Sequence, residues 1–317
     1  VRLGVIDIGS NTVHLLIADV HPGGRPLGAT SDRSVVRLMR FLEADGSISP
    51  EGVTALIDAV TRARSIVATE KVDTVLATAT SAVREATNGP AVIAVIEAAL
   101  GHELTVLDGE AEAHLTFLAQ RRWFGWSAGQ ILGFDIGGGS LELACGSEEV
   151  PDIALSMPLG AGRMTIDFMP DDPPGEAAVE RLREHARTVL APAAALFRQQ
   201  PAPDHVVGSS KTIRSLARLA GDVHTGWAGS DRVTLSRSSL GSWIPRLAKL
   251  PTASREILPG ITPDRARQIV AGAVVLHEAM TALDVHELEA SPWALREGVL
   301  LRFTELNAWD PAALTGR

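Results

Sequence analysis

Two short stretches, IDIGSNTVHLL at residues 6–16 and FDIGGGSLELA at residues 134–144, constrain this chain more than anything else in it. In each, an apolar run (Leu3 to Ile6; Ile131 to Phe134) leads into an aspartate, Asp7 or Asp135, and then into a glycine-bearing turn. Beyond the turn, apolar residues alternate: Val13, Leu15 and Ile17 in the first copy, Leu141, Leu143 and Cys145 in the second. Alternation with a period of two specifies a strand, because successive side chains of an extended chain point to opposite faces. Each stretch therefore reads as a β-hairpin with an aspartate at its tight turn. An offset of 128 superposes Asp7 on Asp135, Gly9 on Gly137 and Leu15 on Leu143. Duplication of a domain is the economical explanation.

The repetition continues. VDTVLATATSAVREATN (72–88) and DHVVGSSKTIRSLARLAG (204–221) both read as a strand, a loop of small residues and a helix, at comparable places in the two halves. With 317 residues, about twice the usual domain length, two domains are expected: residues 1–122 and 123–317, with the boundary segment 117–128 as a hinge and the last helix able to return to the first domain. Helix starts are marked by an N-cap followed by proline: Ser49-Pro50 opens a helix through residue 69, Thr262-Pro263 one through about Leu283, and Ser291-Pro292 the last. Asp108 is placed to cap a further helix with Glu110 and Glu112 in its first turn. Pro192 should kink or split a helix spanning Glu176 to Arg198.

Composition excludes several function classes. A net charge of −9 argues against a surface that coats nucleic acid, so an anionic ligand would need a local basic pocket or metal ions. The single cysteine, Cys145, rules out an internal disulfide, and nine histidines without HxxxH spacing make zinc a poor candidate. The first apolar run reaches Asp7 directly, which predicts no signal peptide, and no run approaches the roughly 18 apolar residues of a membrane span. A cytoplasmic protein, bound neither to nucleic acid nor to membrane, is expected. Arginine outnumbers lysine 26 to 3, which makes Lys211, set in a loop of small residues, conspicuous.

Glycine turns of this kind suit anions. Without Cβ atoms the chain can bend to positive φ and bring backbone N–H groups close to a phosphate. Two such turns facing each other across an interdomain cleft could grip successive phosphates, with Asp7 and Asp135 where Mg2+ would bridge phosphate oxygens. Rival phosphate motifs fail. A dinucleotide fingerprint would need glycine in place of Glu142 and a helix after it, and a P-loop ending at Lys211-Thr212 would need glycines in place of His205 and Ser210.

The set DIGSNTVHLLI, TSAVREATN, DGEAEAHLTF, DIGGGSLEL, VGSSKTIRS and SPWALREGVLL, in order from residue 2 to about 303, resembles the exopolyphosphatase and guanosine pentaphosphate phosphohydrolase family. That family lies in the superfamily of actin, sugar and acetate kinases and heat-shock chaperone ATPases. The length is similar to that of the short, two-domain actinobacterial members, which lack a C-terminal helical extension. The resemblance implies an α/β fold of two duplicated actin-like (ribonuclease H-like) domains with an interdomain cleft. It also implies Mg2+, with Mn2+ as a substitute, and a homodimer. Glu112 would be the general base that activates water. Asp135 and Glu142 would hold metal and orient that water, faced by Asp7 from the first hairpin. Arg84 would contact phosphate, with further donors from Gly9, Ser10 and Asn11, from Gly137, Gly138, Gly139 and Ser140, and from the loop Ser209, Ser210, Lys211 and Thr212.

The sequence departs from the family pattern in places. Ala111 replaces the first glutamate of a Glu-Glu pair, Met39 replaces the glycine of a VRLG segment containing Arg37, and Lys211 stands where glycine is usual. Lys211 is expected to add an ammonium to the phosphate path. The implied activity is removal of the terminal phosphate from inorganic polyphosphate, short chains in particular. Hydrolysis of guanosine pentaphosphate is the alternative within the class, and a non-hydrolytic actin-like phosphate-binding module the alternative outside it. Phosphoryl transfer to water asks mainly for positioning and charge stabilisation.

Overall fold

The computed structural model describes residues 1–21, 26–125, 127–225 and 232–306. In chain order its strands and helices are β1 (Arg2–Ile8), β2 (Thr12–Asp19), β3 (Leu27–Val35), α1 (Pro50–Thr69), β4 (Thr74–Ala79), α2 (Ser81–Arg84), α3 (Gly89–Leu100), β5 (Thr105–Val106) and α4 (Gly109–Phe124). There follow β6 (Ile131–Ile136), β7 (Leu141–Gly146), β8 (Ile153–Met157), α5 (Ala161–Phe168), α6 (Gly175–Phe197), β9 (His205–Gly208), α7 (Lys211–Ala220), β10 (Asp222–His224) and β11 (Arg232–Ser236). The rest are α8 (Arg237–Lys249), α9 (Thr252–Arg255), α10 (Pro263–Ala266), α11 (Ile269–Ala282), β12 (Glu287–Ala290) and α12 (Leu295–Leu306). Two compact units result: Val1–Ala119 with the stretch from Leu295 onward, and Gln120–Ala294.

The first unit carries a five-stranded sheet in the order β3-β2-β1-β4-β5. β1 runs antiparallel to β2 and parallel to β4, so that Asp7 lies between His14 and Thr78. Both faces are covered, which is why β1 is buried almost throughout instead of alternating. Ile6, Ile8 and Leu15 join Leu56 and Val60 of α1 and Ile96 of α3 in one cluster. Leu3 and Val5 join Ala111 and Leu115 of α4 and Val299 and Leu300 of α12 in another. The approach of α12 is close, since a Cβ on Gly298 would meet the Leu115 carbonyl oxygen at 1.9 Å.

The second unit carries a seven-stranded sheet in the order β10-β11-β12-β9-β6-β7-β8. Its stretch β8-β7-β6-β9-β12 repeats the order of the first sheet: an antiparallel meander (β6, β7, β8) followed by two parallel neighbours (β9, β12). The predicted hairpins are present in both copies, with Asp7 opposite His14 and Asp135 opposite Glu142. The duplicated α/β class read from the sequence is therefore visible as one strand order used twice.

Some helices differ from expectation. The helix expected from Thr262 to Leu283 is broken at Arg267 and Gln268, because the Arg255 guanidinium takes the carbonyls of Ala266 (2.6 Å) and Arg267 (3.3 Å), acceptors that a continuous helix would use. The last helix starts at Leu295, since Ser291 closes a local turn by accepting from Trp293 N–H at 3.1 Å. Pro192 does not split α6, which is continuous from Gly175 to Phe197. The Leu190, Ala193 and Phe197 side chains around it are buried in the core of the second unit, and that burial outweighs the lost hydrogen bond.

Candidate active site

In the first unit, the hairpin turn is closed by the Gly9 N–H donating to the Thr12 carbonyl at 3.0 Å. Ser10, buried within it, shares a 3.1 Å hydrogen bond with Ser81 at the start of α2. The Asn11 carbonyl accepts from both Val36 N–H and Arg37 N–H, and Arg37 adopts a left-handed φ of 56°. That conformation is unusual for a long side chain and fixes the backbone beside the turn. Opposite Asp7, His14 hydrogen-bonds Arg296 of α12.

Glu112 is brought to the site by α4. Asp108 caps that helix as expected, accepting from Ala111 N–H at 2.8 Å, so Glu112 occupies the first turn. Arg84, at the end of α2, donates to the Leu107 carbonyl at 2.6 Å and lies 3.6 Å from Glu112 Oε2. The carboxylate expected to be the base and the arginine expected to touch phosphate are thus neighbours, although 28 residues separate them in the chain (112 − 84).

In the second unit, the turn has the same closure: Gly137 N–H donates to the Ser140 carbonyl at 2.9 Å. The carbonyls of this turn are committed to the first turn of α5. Ala161 N–H bonds the Gly137 carbonyl, Arg163 N–H the Gly138 carbonyl and Gly160 N–H the Gly139 carbonyl, at 3.0, 2.9 and 3.2 Å. The N–H groups of Gly138, Gly139 and Ser140 donate to no backbone carbonyl among the described residues. A turn whose carbonyls are committed to backbone partners and whose N–H groups are not suits an anion. The reason for glycine differs from expectation, because left-handed glycines lie elsewhere, at 46, 101, 125, 129, 175 and 260. What the region requires is close approach: a Cβ on Gly160 would come within 2.4 Å of backbone atoms of Gly139 and Ser140.

Asp135 and Glu142 are direct cross-strand partners and so share a face of the sheet. Each is held by a serine: Ser209 Oγ donates to Asp135 Oδ2 at 2.5 Å, and Ser156 Oγ to Glu142 Oε1 at 2.8 Å. Like charges placed opposite each other are destabilising unless a cation comes between them. An all-oxygen pair suits Mg2+, which takes one or two carboxylates and keeps water in its other positions. Among the described residues, no three His, Cys, Asp or Glu side chains form a metal-ligating group, so a richer protein cage is not offered.

The loop after β9 is occupied internally. The Ser210 hydroxyl caps α7 by accepting from Ile213 N–H at 3.1 Å, and the Thr212 hydroxyl is buried without a partner. Lys211 places its ammonium 2.9 and 3.1 Å from the carboxylate of Asp264 on α10. Sequence reasoning missed Asp264, Ser156 and Gln120; the last donates to Ser209 at 2.9 Å. One signal for Gln120 existed, since Gly133 in the middle of β6 marks a close approach. A Cβ there would meet Gln120 Oε1 at 2.0 Å.

The model of the Ppx/GppA phosphatase family matches residues 16–306. The chain belongs to that family. It is 45% identical over 313 residues to "Exopolyphosphatase 1" of Mycobacterium tuberculosis, covering 99% of this chain and 91% of that one. Its fold matches the crystal structure of an exopolyphosphatase from Cytophaga hutchinsonii with a TM-score of 0.86 at 26% identity, covering 96% of this chain and 98% of the other. The Ppx/GppA family member of Aquifex aeolicus, 24% identical with a TM-score of 0.76 over 98% of this chain and 99% of its own, shows the same fold. Among the described residues, no helix of this family member is long and apolar enough to cross a membrane.

Proposed function

We propose that this chain is an exopolyphosphatase that hydrolyses the terminal phosphoanhydride of inorganic polyphosphate, short chains in particular, and releases orthophosphate. The observation that carries the reading is the cross-strand pair Asp135 and Glu142, each fixed by a serine, beside a turn whose N–H groups are available to an anion. Full-length likeness to a protein named exopolyphosphatase 1 supports the same substrate class.

In this reading the chain forms two actin-like domains divided near residue 122, with the last helix returning to the first, supported by the strand order that the two sheets share. Glu112 takes the proton of the attacking water, and its neighbour Arg84 contacts phosphate oxygens. The turns at Gly9, Ser10, Asn11 and at 137–140 donate to phosphate, with Ser210, Lys211 and Thr212 as the remaining candidates. Asp135 and Glu142 would hold the divalent ion, Mg2+ or in its place Mn2+, with Asp7 as the candidate for a third carboxylate once the ion is bound. Once bound, that ion neutralises charge on the phosphate oxygens. The protein is taken as a cytoplasmic homodimer.

The test is phosphate release from tripolyphosphate, long polyphosphate, guanosine pentaphosphate and ATP in parallel, with and without Mg2+. Glu112→Ala is expected to lower turnover about 10²- to 10⁴-fold while leaving substrate affinity in place. Undiminished release by that variant, or release from ATP alone, overturns the assignment. Preference for guanosine pentaphosphate moves it to the other activity of the family.

A further inference from the structure

Asp135 is oriented by a short buried chain of hydrogen bonds. Ser209, wholly buried just after β9, donates to Asp135 Oδ2, and behind it Gln120 donates from Nε2 to Ser209 Oγ at 2.9 Å and to the Phe134 carbonyl at 3.4 Å. A serine hydroxyl has one proton to give. Because the Gln120 amide donates to its oxygen, that proton is left for an acceptor, and the Asp135 carboxylate at 2.5 Å takes it in preference to the Phe134 carbonyl at 3.5 Å. The amide cannot turn over, for its oxygen would then face the Phe134 carbonyl. Its oxygen Oε1 is meanwhile buried without a hydrogen-bond partner, above a glycine that leaves room for it. An unmatched buried acceptor is destabilising, so stability alone does not account for a glutamine here.

We propose that Gln120 and Ser209 are positioning residues for Asp135: Gln120 sets the direction of the Ser209 hydroxyl, and Ser209 holds the Asp135 carboxylate turned to its task. The inference rests on the role given to Asp135 above. It explains why Asp135 keeps its orientation opposite a second carboxylate, and it has Ser209 act through Asp135 instead of touching phosphate.

The test is steady-state kinetics with tripolyphosphate on Ser209→Ala, Gln120→Leu, the double variant, Ser209→Thr and Asp135→Asn, with folding checked by circular dichroism and thermal midpoint. Each of the first two is expected to lower kcat about 3- to 10-fold, with KM within about twofold. The double variant should be no slower than Ser209→Ala, because Gln120 works only through Ser209. Ser209→Thr, which keeps the hydroxyl, should retain most of kcat; threonine already occupies the matching position beside Asp7, as Thr78. Multiplying defects in the double variant, or an unchanged kcat in folded Gln120→Leu, overturns the inference; Gln120→Met replaces the leucine variant if that does not fold. Unchanged turnover in Asp135→Asn overturns the reading of the site itself.

Discussion

Arg84 carries more than one duty. Its guanidinium ties the end of α2 to the Leu107 carbonyl and stands beside Glu112, so one side chain both sets the entry to α4 and places positive charge next to the proposed base. Arg84→Ala is expected to lower kcat/KM for tripolyphosphate about 10- to 100-fold, the range of a lost charge-assisted hydrogen bond. Arg84→Lys should restore only part, because an ammonium cannot serve the carbonyl and a phosphate with the geometry of a planar fork; full recovery would show that charge alone is required. Residues at this scale were legible where a motif repeats them. Asp7 and Asp135 stood out for that reason, Glu142 through the family resemblance, and Asp108 because a cap is a local signal. Lys211 shows the limit. A lysine among serines is visible in the sequence, but its ion-pair partner Asp264 lies 53 residues further on, beyond any local pattern.

Among the elements, the turn at 137–140 and the start of α5 form one piece. Three carbonyls of the turn are fixed by N–H groups at that helix start, and the contact is so close that only glycine fits at position 160. Gly160→Ala would push a methyl group into the backbone of Gly139 and Ser140. Overpacking of this kind costs about 1–3 kcal/mol. The variant is expected to melt at lower temperature in a thermal scan and to lose turnover beyond what the altered stability explains, since the displaced atoms carry the N–H groups proposed to bind the anion. A variant with wild-type turnover would separate the turn from the chemistry. The hairpins themselves were readable from period-two alternation, and α1 from its cap and proline. The break at Arg267 was not, because it is imposed by the distant Arg255 side chain and not by the local residues.

For the molecule as a whole, each unit contains the same order of strands, yet only the second is continuous in sequence. The first borrows α12, whose Val299 and Leu300 are fully buried with Leu3 and Val5 of β1. Leu300→Ala is therefore expected to destabilise by about 2–5 kcal/mol. Hydrogen exchange should show the loss of protection in β1 and β4, while β6 and β9 keep theirs; a uniform loss would argue against separate units. The duplication was legible from two hairpins 128 residues apart, but the burial of α12 beside β1 depends on tertiary packing that no sequence period records.

That arrangement bears on how the polypeptide is made. Translation delivers β1 well before α12, so the face of the first sheet that α4 and α12 share must stay only part-covered while all of Gln120–Ala294 emerges from the ribosome. The younger half can finish its interior as soon as it is released, and the older half closes only when α12 arrives.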